Sequence, residues 1–183
     1  MSKSSRKNTL AIVILLCAAS LFAQEQMAKK GPSVTMSPVP TATIQRGKTG
    51  TVTLEFQIAN GFHINSNKPT QEYLIPTVLR LNTPTDLMVG KMTYPDGEQT
   101  SFAFAPDEKL SVYSGNFNVS VVIRALSSVL PGKYEFHGEL KFQACDNAQC
   151  FPPKKLPLQF EVKVVKAPPP HIANPAQSPH AHT

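Results

Sequence analysis

Residues 51–58, Thr-Val-Thr-Leu-Glu-Phe-Gln-Ile, alternate without interruption between polar and apolar side chains. A period of two places Val52, Leu54, Phe56 and Ile58 on one face of an extended strand and polar groups on the other, a pattern that fits a sheet and not a helix. The period returns at 77–81, at 133–142 through Tyr134, Phe136, Leu140 and Phe142, and at 156–164 through Leu156, Leu158, Phe160, Val162 and Val164. Residues 89–94, Val112-Tyr113 and 117–123 add further strand candidates. Pro95-Asp96-Gly97, Ser114-Gly115 and Pro131-Gly132 supply turns between them.

About seven short strands, regular turn signals and no amphipathic helix predict an all-β fold, an immunoglobulin-like antiparallel β-sandwich. Tryptophan is absent, which excludes the Cys, Trp and Cys pattern of antibody domains. Gln24 to Pro40 is polar, carries three prolines and shows no period. Residues 24–33 read as a leader, ahead of a domain spanning 34–166. Residues 167–183, rich in Pro, Ala, His and Ser, cannot bury a core and are expected to be disordered.

The chain opens on the basic stretch Met1 to Lys7, runs apolar from Leu10 to Leu16, and reaches Leu21-Phe22-Ala23 before Gln24. That is a signal peptide over 1–23, with cleavage expected after Ala23 and a periplasmic or secreted destination. Cys17 would be discarded with it; Leu16 stands where lipoprotein processing requires a small residue. Lys3, Arg6 and Lys7 account for half of the formal net charge of +6, so the domain carries no basic excess that points to nucleic acid. No later run reaches the eighteen or so apolar residues of a membrane helix.

Two cysteines remain, Cys145 and Cys150, within Phe-Gln-Ala-Cys-Asp-Asn-Ala-Gln-Cys-Phe-Pro-Pro at 142–153. An even count in an exported domain favours a disulfide. Closing so short a loop stabilises a fold by only roughly 2 kcal/mol, whereas a bridge kept for stability is better placed between distant strands. A short, accessible disulfide is the labile kind, which points to redox chemistry; a structural bridge in a non-catalytic immunoglobulin-like binding module is the alternative. Parity sets Cys145 with Lys141 and Gln143, on the solvent-facing side of the strand in the absence of a bulge.

Thiol exchange needs an accessible sulfur, a tunable thiolate and control of access. Asp146, between the two cysteines, would disfavour a thiolate by its charge, or serve as a turn former. Phe102 and Phe104 lie in an apolar stretch broken by Pro106 and are candidates for a cap over the sulfurs, with burial in the core as the plainer role. His63 would tune a thiolate if its loop comes near. His137 shares its parity with Glu135 and Glu139 on a polar face. The cysteine spacing differs from that of zinc knuckles, and His171, His180 and His182 fall in the tail, so no metal and no bound cofactor are expected. No phosphate-binding glycine loop, HExxH or GxSxG motif supports a kinase, protease or hydrolase.

The block at 142–153 resembles the signature of the N-terminal periplasmic domain of the thiol:disulfide interchange protein DsbD, the disulfide bond corrector domains. Gly-Phe-His-Ile-Asn-Ser-Asn-Lys-Pro at 61–69, Leu-Ile-Pro-Thr at 74–77 and Val-Tyr-Ser-Gly at 112–115 are similar to further blocks of its stand-alone relatives. The resemblance implies an immunoglobulin-like fold whose cysteine pair passes reducing equivalents from a thioredoxin-like protein or a membrane electron-transfer protein to oxidised periplasmic clients, among them disulfide isomerases and cytochrome c biogenesis proteins. It implies that Cys150 forms the mixed disulfide, that Cys145 resolves it, and that a mobile cap falls on 102–106. One residue fewer separates the cysteines than in the best-known members, and Gln99-Thr100-Ser101 replaces their acidic residues before the cap aromatic. The membrane channel and thioredoxin-like domain found in those proteins are not in this sequence, so the donor is expected on a separate chain.

Overall fold

The computed structural model describes residues 33–167. The expected signal peptide over 1–23, the expected leader up to residue 32 and the tail from residue 168 lie outside them. Twelve strands follow one another among the described residues: β1 (Val34–Met36), β2 (Ala42–Gln45), β3 (Thr49–Ile58), β4 (His63–Asn65), β5 (Val78–Asn82) and β6 (Leu87–Thr93), then β7 (Glu98–Phe102), β8 (Ala105–Ser114), β9 (Asn116–Ala125), β10 (Gly132–Phe142), β11 (Ala144–Cys145) and β12 (Lys154–Val165). The long alternating strands stand where the sequence period puts them. Those that periodicity missed or only partly traced are short, such as β1, β2 and β11, or are buried on both sides, such as β4, where alternation has nothing to report.

The strands form three four-stranded sheets, β1-β3-β9-β6, β2-β12-β10-β5 and β11-β4-β8-β7. The fold is an immunoglobulin-like β-sandwich. The first two sheets supply most of its core: Leu54, Phe56, Val119, Val121 and Ile123 from one, Phe136, Leu140, Phe160 and Val162 from the other. Cross-strand aromatic pairs fix the register within each, Phe56 on Phe117 at 5.2 Å between ring centroids and Phe136 on Phe160 at 5.1 Å. One pair departs from the antiparallel expectation: β2 runs parallel to β12. It does so because β2 enters the sheet at its edge, from the first strands of the chain and without a hairpin.

The third sheet positions the site, and its two faces are buried in different places. Ile64, Tyr113 and Ala144 join the main core, with the Tyr113 ring stacked on Phe117 at 4.8 Å. Leu110 and Val112, on the opposite face, pack with Leu74, Phe102 and Phe104 into a second, smaller apolar cluster. The Tyr113 hydroxyl donates to Asn67 Oδ1 (2.6 Å) and lies 3.1 Å from the Pro95 carbonyl, which ties β8 to the loops leaving β4 and β6.

Gly138 lies between Leu81 of β5 and Leu158 of β12, where a Cβ would run into the Arg80 carbonyl and the Leu81 side chain. Gly138→Ala should therefore lower stability by about 1–3 kcal/mol in urea unfolding. Gly90→Ala, whose Cβ would meet Val122 at an ordinary 3.5 Å, should stay within roughly 0.5 kcal/mol of the parent.

Candidate functional site

Strand β10 ends at Phe142, and Gln143 separates it from the two-residue β11. The Gln143 side chain holds this break in place: Nε2 donates to the Phe151 carbonyl (3.2 Å), while Oε1 accepts from Asn65 Nδ2 (3.3 Å) and from the Ile75 amide (3.4 Å). The chain then reverses. Asp146 N donates to Gln149 O (2.9 Å) and Phe151 N donates to Ala144 O (2.8 Å). Cys145 and Cys150 face each other between these two bonds, as a non-hydrogen-bonded antiparallel pair whose side chains approach closely. A disulfide joins them.

Asp146 shapes the turn. Its Oδ1 accepts from the amides of Ala148 (2.8 Å) and Gln149 (2.9 Å), the turn-forming role open to it from the sequence.

The expectation that Cys145 faces solvent is corrected: it is 0% exposed. Parity itself is kept, since Phe142 and Ala144 reach the main core while Gln143 and Cys145 turn away from it. What fails is the assumption that the far face is wet. Past Gln143 the chain joins the third sheet, whose far face lies under a roof of its own. Cys150, at the sheet edge, stays partly exposed.

Register makes the site a row. Ser114 of β8 pairs with His63 of β4, His63 with Cys145 of β11, and Cys145 with Cys150. Directly paired residues project to one face, so all four side chains belong to the roofed side. His63 is therefore part of a strand, not of a loop.

The roof is the β7–β8 hairpin. The stretch expected as a cap loop at 102–106 is its tip: β7 ends at Phe102, Ala103 and Phe104 turn, and β8 begins at Ala105, the partner of Phe102. The Phe102 ring lies flat on the His63 imidazole, centroids 3.8 Å apart and planes 15° apart, and Phe104 stacks on Phe102 at 5.5 Å. The hairpin thus reaches the site through the residue opposite Cys145. On the opposite face of the hairpin, Phe151 meets Phe62, which packs against the main core, edge to face at 5.8 Å.

His63 is 6% exposed, and burial pushes its pKa down to about 4, with the nearby Asp146 charge opposing the shift. The imidazole is neutral at neutral pH. Folding excludes a proton that the unfolded chain binds as pH falls below about 6.5, so this residue withdraws stability between there and pH 4. Its Nε2 is buried without a hydrogen-bond partner, as is Asn65 Oδ1. His137 does not come to the site; it stays exposed on β10 with Nε2 at 3.6 Å from Glu135.

Sequence reasoning passed over Gln143, Asn65 and Leu74 as functional positions. Leu74 completes the apolar roof. Asn65 Nδ2 donates to the Ile75 carbonyl (3.0 Å), and Thr77 Oγ1 donates to Asn65 O (2.6 Å), so the loop over 66–77 is fastened to β4. The available signal was position: Asn65 and Gln143 each sit two residues from His63 and Cys145, inside the two blocks already singled out.

No curated protein matches the chain. The DsbD N-terminal domain of Neisseria meningitidis in its reduced form is similar at 21% identity and a TM-score of 0.41, over 67% of this chain and 88% of that one. The N-terminal periplasmic domain of ScsB from Proteus mirabilis is similar at 16% identity and a TM-score of 0.43, over 69% of this chain and 43% of that one. The family model for the N-terminal part of the thiol:disulfide interchange protein DsbD matches residues 34–161, from β1 through the cysteine hairpin and into β12, and the chain belongs to that family.

Proposed function

We propose that the Cys145–Cys150 pair is the working centre of a periplasmic or secreted thiol:disulfide interchange domain. The observation that carries this reading is the unequal burial of the two sulfur-bearing residues, Cys145 fully enclosed and Cys150 at the sheet edge. Attack on a disulfide requires approach in line with the sulfur-sulfur bond, and only the Cys150 end lies open to an incoming thiolate.

Exchange then proceeds in two balanced halves. A thiolate of a thioredoxin-like donor, or of a membrane electron-transfer protein, attacks Cys150 Sγ; the intramolecular bond breaks and its electron pair leaves on Cys145 Sγ. The donor's second thiol cleaves the mixed disulfide and leaves both cysteines reduced. In the delivery half, the Cys150 thiolate attacks a client disulfide, and Cys145 resolves the mixed disulfide by attacking Cys150 Sγ. Two electrons pass to the client and the pair is oxidised again. No bound cofactor takes part in these steps. Clients of this chemistry are oxidised exported proteins, with cytochrome c biogenesis factors as one class.

Phe102 and Phe104 act as the cap, closing the roofed side against small thiols. Asp146, besides shaping the turn, disfavours thiolates by its charge and so restrains indiscriminate attack. A purely structural bridge is the weaker reading. The pair joins a turn already closed by two backbone hydrogen bonds, and the loop it closes is short enough that the chain-entropy gain is only roughly 2 kcal/mol.

Three outcomes are expected. The domain's reduction potential should lie above about −300 mV in glutathione or dithiothreitol equilibria; a lower value would place it among inert structural disulfides. Cys145→Ser should accumulate a stable mixed disulfide through Cys150, while Cys150→Ser should trap far less on a denaturing gel without reductant. Phe102→Ala, which removes an aromatic contact of about 0.5–1.5 kcal/mol, should speed reduction by a small thiol roughly two- to tenfold and leave the fold intact by circular dichroism.

A further inference from the structure

His63 holds three relations at once. Its ring face carries the roof through Phe102, its strand position is directly opposite Cys145, and its buried Nε2 has no hydrogen-bond partner. Buried polar nitrogens are nearly always paired, and leaving one unpaired lowers stability, so an orphan in a functional row calls for a state in which it is satisfied. Directly opposed residues in a sheet hold their Cβ atoms roughly 4.5–5.5 Å apart, close enough for an imidazole to reach a neighbouring sulfur.

We infer that His63 is the hydrogen-bond donor that receives the Cys145 sulfur when the disulfide opens, its Nε2–H being satisfied only in the mixed-disulfide and reduced states. This rests on the exchange reading of the cysteine pair and supplies what that reading lacks, a group that accommodates a buried leaving thiolate.

The chemistry balances without proton transfer. The incoming thiolate forms a bond to Cys150 Sγ, the Cys145–Cys150 bond breaks, and the electron pair stays on Cys145 Sγ. A disulfide sulfur is a poor acceptor; a thiolate is a strong one, and a neutral N–H can stabilise it. The neutrality of His63, enforced by burial, sets the strength of this effect. A charged imidazolium would hold the thiolate as an ion pair and depress both its pKa and its nucleophilicity, while a neutral donor eases departure and leaves a sulfur still able to resolve the mixed disulfide. Asp146, the charge that acts on His63, works against the thiolate and gives the donor more to offset.

Because the same ring anchors the roof, two substitutions separate the roles. His63→Phe keeps an aromatic face for Phe102 and removes the donor; His63→Gln keeps an N–H and removes the face. In the Cys150→Ser background, followed through the Cβ chemical shift of Cys145 in a pH titration, His63→Phe should lower the thiol dissociation constant about tenfold, and His63→Gln should leave it near the parent value. In the disulfide form, reduction by a small thiol should slow about tenfold in His63→Phe and quicken in His63→Gln. An unshifted Cys145 titration in His63→Phe, or equal shifts in both variants, would overturn the inference.

The unsubstituted protein gives an independent reading. Imidazole nitrogen NMR should find Nε2 protonated and its shift displaced on reduction of the disulfide; a shift that does not move on reduction also overturns the assignment. Failure of the exchange reading itself would appear elsewhere, in a disulfide as hard to reduce as an inert structural bridge, whatever His63 does to the Cys145 titration.

Discussion

Strand β4 is three residues long and has no exposed face. Everything at the site depends on that. A strand in the middle of a sheet, with β8 on one side and β11 on the other, needs an apolar layer above and another below. The sandwich core supplies one through Ile64. The β7–β8 hairpin, with Leu74, supplies the other, and because His63 faces that layer the roof rests partly on a polar ring. Cys145 inherits its burial from this arrangement and needs no pocket of its own.

A second dependence runs through amides. Gln143 touches three segments with one side chain: the hairpin at Phe151, β4 at Asn65 and the 66–77 loop at Ile75. Those bonds join the disulfide hairpin, the row and the loop bearing Leu74, so a displacement of the hairpin is felt on the roof side of the sheet. Packing supports the same coupling, since Phe102 meets both the row and the second apolar cluster.

Much of the fold was legible from periodicity, because β3, β10 and β12 each bury one face against the main core and their alternation survives intact. The third sheet was not legible in this way. Its strands are buried on two sides, as in β4, or begin in charged sequence, as in β8, where Pro106, Asp107, Glu108 and Lys109 precede the apolar run. The cysteine pair, Asp146, His63 and the two phenylalanines could be named from the sequence, yet their arrangement could not. Parity gave Cys145 the correct side of its strand and the wrong environment, since an alternating pattern records which face a residue takes and not what lies over it. Gln143 and Asn65 escaped notice because amides carry no chemical signature until their partners are known.

Pro152 and Pro153 follow the exposed end of the disulfide, and Phe151 N is already committed to Ala144. The outermost segment of the third sheet therefore offers a neighbouring chain little beyond the backbone groups of Cys150 itself. A partner cannot zip onto this edge as an added strand, the mode that gives long-lived complexes through a run of main-chain bonds. On the exchange reading proposed above, a partner at Cys150 would be held by its one covalent bond and the surface around it, with no run of main-chain bonds to delay its departure once that bond is resolved. On that same reading the two prolines would act on residence time, favouring release at the pace of the sulfur chemistry, and their missing N–H groups deny the edge to strand pairing by a second copy of the protein.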